Sequence, residues 1–431
     1  MAIRPEAVAL QFANAYRAKG TCMAMPTSAL TIGLGKNAIP PALLVVCFAL
    51  SIFNVSMLQT GLISHWWIFD ENGLGIPTDF VNVWSAGRLV LDGHPALAYD
   101  WDIQKQVQLA VLGQSYDGNF AWHYPPPFLF VASVLAHFPY GVAYFGWAAV
   151  SFVPYLAVMR AIVGRSFGLL LAAAFPVVFT NALVGQNGFL TASLIGGTLY
   201  LMPTRPVLSG ICLGLLSYKP QYGLLFPLVL IAASQWKVFF TAGSVALVIA
   251  CLSWLAFGIE SWQAFFHWMP MFSQAFLTEG RAPWGKMQSI FALVRYFGGT
   301  EQLAWLFQWI MSGAVAIVLA IMWRSRKLSY PLKAAGLAAG ALLITPYLFL
   351  YDLMVLAIAV AFLVRVGLEE GFARHELPAL GLVVAPLMIY PLLGAPTGFG
   401  ATLVVTALIG WRLCAGWREA RMQSPVAATV R

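Results

Sequence analysis

Residues 39–63 read IPPALLVVCFALSIFNVSMLQTGLI, an unbroken stretch without a charged side chain. A helix rises about 1.5 Å per residue and a hydrocarbon layer is about 30 Å thick, so this run is long enough to cross one. Runs of similar character recur down the 431-residue chain. They do not alternate polar with apolar as barrel strands would. Hydrophobic residues make up 60% of the sequence and charged residues 9%, against about 25% charged in a soluble domain. Mean hydropathy is +0.79. Such a chain has too little polar surface to enclose a soluble core, and its fold class is an all-α, polytopic membrane bundle.

Further apolar runs lie at 141–160, 167–184, 188–203, 207–218, 222–235, 238–258, 303–323, 334–350, 352–366, 376–393 and 397–414. With 39–63 they make twelve expected spans, those near 207–218 and 222–235 being short. Segment 124–140 opens with Pro125-Pro126-Pro127 and is too short to cross, which predicts a re-entrant or interfacial piece. The expected layout is a cytoplasmic tail at 1–38, a transmembrane domain at 39–414 with outer loops 64–123 and 259–302, and a cytoplasmic tail at 415–431. On this layout the inner side carries 18 Lys and Arg against 5 Asp and Glu, and the outer side 6 against 11. That bias has the sign the positive-inside rule requires. No repeat of fixed period divides the chain, which weighs against inverted-repeat transporters.

The net charge of +8 comes from basic residues scattered between apolar runs, without the basic, aromatic-interleaved stripe of a nucleic-acid binder. No nucleic-acid partner is expected. Cys22, Cys47, Cys212, Cys251 and Cys414 show no paired spacing and read as structural. No metal-ligand cluster, phosphate loop or serine-hydrolase elbow is present. No metal or other cofactor is expected.

Polar groups at a membrane boundary are costly unless they have a task, and on this layout they gather on the outer side. Asp79 follows Pro77 and precedes Val81–Leu91, which reads as an amphipathic interfacial helix. Its carboxylate suits two roles equally: a helix N-cap, or a general base with a pKa raised by desolvation. Lys219 ends an apolar run before Pro220, where a lysine either snorkels to the interface or meets a phosphate as a point charge. Its outer position, against the charge bias, favours the phosphate. Gln186 and Asn187 form a polar hairpin suited to a sugar clamp or to a plain turn. His123 and Tyr124 open the proline segment, Arg281, Lys286 and Arg295 lie in the second outer loop, and Tyr351 and Asp352 stand where a late span begins. The cations taken singly read as loop charges, His123 as a packed loop histidine, and Asp352 as cap or ligand contact alike.

Thr78-Asp79-Phe80, Trp84-Ser85-Ala86-Gly87, Gly93-His94-Pro95 and Leu97-Ala98-Tyr99-Asp100 together resemble the first outer loop of glycosyltransferase family 87. Tyr124-Pro125-Pro126, Gly185-Gln186-Asn187 and Gly210…Gly214…Lys219-Pro220-Gln221 resemble later motifs of the same family, so that the likeness covers residues 75–240. The resemblance implies a GT-C-type membrane fold. It implies transfer of a hexose, mannose first, from a polyprenyl-phosphate donor to a lipid-linked or glycan acceptor on the outer face of a bacterial inner membrane. The acidic residue proposed as base in the family matches Asp79. The late loop departs from the family pattern: Thr345-Pro346-Tyr347-Leu348-Phe349-Leu350-Tyr351-Asp352 lacks a histidine. A non-catalytic reading, a flippase or transporter of a lipid-linked sugar or small polar solute, also asks for a polar site in a bundle. It would place that site nearer mid-membrane.

Overall fold

The computed structural model describes residues 38–422. The tail expected at 1–38, with Cys22, and the end of the tail expected at 415–431 lie outside the described residues save at their inner edges. Among the described residues no β-strand forms, and extended segments meet only in isolated bridges such as Met287 with Phe349. In chain order the helices are α1 (Pro41–Ile63), α2 (Phe80–Leu91), α3 (Trp101–Leu112), α4 (Leu129–Ala136), α5 (Tyr140–Val163) and α6 (Phe167–Ala174). There follow α7 (Val177–Val184), α8 (Gly188–Leu201), α9 (Pro206–Leu215), α10 (Leu225–Ala232), α11 (Trp236–Ser273) and α12 (Ile290–Tyr296). The last five are α13 (Glu301–Arg324), α14 (Tyr330–Leu343), α15 (Met354–Glu370), α16 (Glu376–Leu393) and α17 (Thr397–Met422).

Among the described residues seven helices are long and apolar enough to cross a membrane, and α6 with α7 makes an eighth if that bent pair is one span. The four other runs of the expected twelve correspond to α8, α9, α10 and α14, which have 14, 10, 8 and 14 residues. At 1.5 Å per residue these reach roughly 12–21 Å, less than the hydrocarbon thickness. Apolar length alone does not show where proline cuts a run. In 167–184 the break falls at Phe175-Pro176 and bends the axis by 64°, because proline has no N–H and its ring clashes with the preceding turn. Carbonyls freed by that break need donors inside an apolar bundle. Buried Asn54 of α1 supplies them, its Nδ2 donating to Ala173 O at 2.9 Å and Phe175 O at 3.3 Å.

The two long loops between apolar runs are largely helical. Loop 64–123 folds into α2, α3 and a 3-10 turn, and 259–302 begins as the continuation of α11 past a kink at Gly258. Val81–Leu91, expected to form an amphipathic interfacial helix, is helical and packs against the bundle. Eight of the twelve α2 residues are buried, because Gly87 lets the helix press onto α4, where a Cβ would stand 1.9 Å from Ala132 O. The short piece Pro126–Ala136, expected to be re-entrant or interfacial, is this partner helix of α2.

At the centre stands α15, with 14 of its 17 residues buried. It packs on α14, whose buried residues are half alanine, and on α8 and α5. Small residues let helix backbones approach, and in lipid that close packing replaces the hydrophobic drive. Outward faces are apolar: Val45 of α1, Leu255 of α11 and Trp309 of α13 are all exposed.

Helix directions sort the polar residues into two ends. Gly188 lies against Tyr351 and Gly196 against Ile358, so α8 and α15 run parallel. Tyr155 stacks on Phe189 while Val158 meets Gly196, which sets α5 parallel to α8. Gly210 meets Thr241 and Gly214 meets Val245, which sets α9 parallel to α11. Thr198 bonds Ser209 and Thr191 bonds Tyr218, which makes α8 and α9 antiparallel. One end therefore gathers the start of α8, the start of α15 and the residues following α9. The other gathers Arg160, Arg205, Lys237, Arg324 and Lys333.

Candidate active site

Eight residues singled out from the sequence converge at the first of these ends: Asp79, His123, Tyr124, Gln186, Asn187, Lys219, Tyr351 and Asp352. Asp79 occupies the N-cap position of α2 but makes no capping bond. Its Oδ2 instead accepts from Gln186 Nε2 at 3.0 Å, and Oδ1 has no hydrogen-bond partner among the described residues. Thus the N-cap reading of Asp79 gives way to a contact across the bundle. Gln186 is held at both ends of its amide, its Oε1 accepting from Tyr124 Oη at 3.2 Å and from the Asn187 N–H at 3.2 Å. That pair of donors fixes which amide atom faces Asp79.

The backbone bends here at Gly185, whose φ of +66° and close approach to Phe80 (2.6 Å from a would-be Cβ) both require glycine. Asn187 follows, 1% exposed, with neither amide atom in hydrogen-bond geometry. A buried amide with no bond in hydrogen-bond geometry calls for an explanation.

Lys219 lies in the break between α9 and α10, where Pro220 stops the helix. It is 3% exposed and does not snorkel. Its Nζ donates to Asp352 Oδ1 at 2.7 Å, and Asp352 is equally buried. The other Asp352 oxygen accepts from the Phe349 N–H at 3.1 Å, so this residue caps its helix and pairs the lysine together. The rings of Tyr124, Tyr222 and Tyr351 surround the ammonium at 5.6–6.0 Å from their centroids, within the range of cation–π attraction.

Burial lifts the Asp79 carboxyl above the usual carboxylate range. The Gln186 hydrogen bond and the charges of Lys286 and Lys219 pull against it, while Asp352 pushes the same way as burial. Lys286 itself is exposed, on a turn after Pro283. His123 is pushed down to about 4 by burial, so its ring is neutral at pH 7. Its Nδ1 lies 3.1 Å from Ala121 O. A carbonyl only accepts, so Nδ1 holds the proton and Nε2 is left as an acceptor. The ring stacks on Tyr124 at 4.6 Å and meets Tyr347 edge-on.

A cavity of about 240 Å³ adjoins this cluster. His123, Tyr124, Tyr218 and Lys219 give it a polar side, and Phe265, Met269 and Phe272 of α11 give it an apolar wall. Such an arrangement can receive a molecule with an anionic head and a hydrocarbon tail. Next to it the chain makes a π-turn at Gln274–Thr278, a form that recurs at functional sites. The segment around Gln288 ties the second outer loop to the late loop: its N–H donates to Leu348 O at 2.6 Å and Ser289 Oγ to Pro346 O at 2.7 Å.

Not every candidate joins the cluster. Arg281 is exposed, paired with Glu279 at 2.7 Å and laid over Trp101 at 5.5 Å. Arg295 bonds Gly299 O and covers the Trp284 ring. Tyr218, Tyr222 and Tyr347 were not among the candidates, yet all three face this region. The signal for the first two was the aromatic flanking in Tyr218-Lys219-Pro220-Gln221-Tyr222, and Tyr347 lies in the late loop Thr345–Asp352. Among the described residues, no three His, Cys, Asp or Glu side chains converge to hold a metal ion.

A scan of protein families matches residues 122–346 to Glycosyltransferase family 87. The match takes in Tyr124, Gln186, Asn187, Lys219 and Lys286, with Asp79 before it and Asp352 just after. No curated protein and no solved structure gives a significant match. The matched region is just over half of the sequence, and the chain belongs to glycosyltransferase family 87.

Proposed function

We propose, from this membership and from the converging cluster, that the protein is an inverting glycosyltransferase. It moves a hexose, mannose first among the candidates, from a polyprenyl-phosphate donor to a lipid-linked or glycan acceptor. On this reading its helices form a GT-C-type bundle, residues 39–414 are one transmembrane domain, and both termini face the cytoplasm. The site then faces the outside of a bacterial inner membrane. The segregation of Arg160, Arg205, Lys237, Arg324 and Lys333 to the end away from Asp79 supports that sidedness.

The observation that carries the proposal is the pairing of an open carboxylate oxygen with a caged lysine beside an apolar-walled cavity. The donor's phosphate lies near Lys219 and its polyprenyl tail along the α11 wall. An acceptor hydroxyl attacks the anomeric carbon from the opposite face. The new C–O bond forms as the bond from that carbon to the phosphate oxygen breaks, and polyprenyl phosphate leaves with the electron pair. Oδ1 of Asp79 takes the acceptor's proton. Gln186 holds Oδ2 so that Oδ1 points to the acceptor, and Asn187 offers its open amide to sugar hydroxyls. Lys219 balances charge growing on the leaving phosphate, where electrostatic help is largest. For this the lysine turns from Asp352, or shares itself between carboxylate and phosphate.

The test is transfer by purified protein in lipid, from radiolabelled polyprenyl-phosphate mannose to a crude lipid extract. Label moving into a new lipid or glycan product is the expected result. Label carried across a sealed bilayer with the donor intact would instead establish a flippase.

A further inference from the structure

At the end of the bundle opposite Asp79, a cavity of about 530 Å³ opens between two helix junctions, α10 with α11 and α13 with α14. Arg324, Arg326 and Lys333 line it with Ser234, Gln235 and Tyr330, and none of its lining residues is acidic. The ion pairs among the described residues are made elsewhere, so neither arginine has a carboxylate partner there. Lys333 Nζ donates to the Ser325 carbonyl, and burial draws this amine below the usual lysine range. An added anion would offset that cost of burial.

A second observation comes from the backbone. Ser234 takes φ +56° just past the end of α10, a position where helices usually place glycine. Strain of this kind persists where surrounding structure holds it, often at binding sites. The Ser234 backbone N–H is spent on Ile231 O, and its hydroxyl has no partner among the described residues. Ile231 and Trp236 adjoin lining residues in sequence and Ile321 stands one helical turn before Arg324; they are 49%, 48% and 64% exposed. Hydrocarbon chains have room beside the cations. The volume lies within the range of small-molecule sites.

We propose that this cavity binds the phosphate headgroup of an acidic membrane phospholipid, with Arg324, Arg326 and Lys333 as its cations and the acyl chains along Ile231, Trp236 and Ile321. Basic pockets between membrane helices recognise such headgroups by charge and shape together. A free phosphate offers the same anionic chemistry without the chains, so the two sources separate by experiment.

Native mass spectrometry of the purified full chain in detergent reads retention of dioleoyl phosphatidylglycerol, dioleoyl phosphatidylcholine and inorganic phosphate. The wild type should retain phosphatidylglycerol over phosphatidylcholine. Each cation contributes roughly fivefold, so Arg324→Gln with Arg326→Gln should weaken retention roughly 25-fold. Arg205→Gln with Lys237→Gln, at the same end but outside the lining, should change it by less than about threefold. Ala233→Trp keeps every charge and fills the cavity, and should also lose the lipid. It tests the site independently if the arginine variant does not fold. Equal retention in wild type and both cavity variants would overturn the proposal, as would equal binding of phosphatidylcholine. Inorganic phosphate binding as tightly as phosphatidylglycerol would reassign the cavity to a soluble anion and overturn the lipid.

Discussion

Lys219 and Asp352 lie 133 residues apart in sequence and 2.7 Å apart in space, each about 3% exposed. At that distance two unit charges attract by about 6 kcal/mol in an effective dielectric of 20. Desolvation takes back several kcal/mol per ion. The net worth of the pair is therefore small, whereas breaking it strands one buried charge. Lys219→Met and Asp352→Leu should each cost about 3–5 kcal/mol. The double variant removes both charges, strands neither and should cost less than either single, which leaves a coupling of at least about 3 kcal/mol. Reversible unfolding in detergent, followed by tryptophan fluorescence, measures the cycle. Additivity within about 0.5 kcal/mol would show that the two side chains do not share a buried environment. It would also remove the caged lysine on which phosphate binding rests.

Other outcomes follow from the same geometry. Transfer should fail as pH falls through a value above the ordinary carboxylate range, because the base must be ionised and burial raises Asp79. Gln186→Leu removes a hydrogen bond that favours the ionised form, so the acid limb of its pH–rate profile should move to still higher pH; an unmoved limb would mean another group titrates. Gly185→Ala combines a left-handed φ with contact against Phe80, and should destabilise the protein by about 2–4 kcal/mol in the same unfolding measurement. Arg281→Gln should leave donor affinity within about twofold, since Arg281 is already engaged by Glu279 and Trp101; a tenfold loss by equilibrium binding would bring this arginine back to the phosphate.

The helical membrane class was legible because charge-free runs such as 39–63 leave no soluble alternative. What apolar length cannot convey is interruption. Pro176 divides one run, and short helices such as α9 and α10 pack inside the bundle without reaching spanning length. Asp79, Gln186 and Lys219 stood out because each is a polar group beside a proline or glycine break at the edge of an apolar run. Their pairing did not, because a bond from Asp79 to Gln186 spans 107 residues and leaves no local pattern. N-cap statistics describe a helix start in water, whereas the start of α2 is pressed against Gly185 and finds a better donor there. The open loop expected at 259–302 begins as a second helix, joined to the first at Gly258, whose non-helical backbone breaks the axis. Arg281 illustrates the reverse failure: a cation in the right loop, neutralised by an acid two residues away.

The most direct test of the central claim compares wild type with Asp79→Asn in one preparation, reading donor binding and transfer of labelled mannose separately. Asparagine keeps the shape and can still meet Gln186, but cannot take a proton. The account predicts donor affinity within a few-fold and transfer reduced by at least about 100-fold. Wild-type-like turnover in this variant would remove Asp79 from the chemistry and contradict the account.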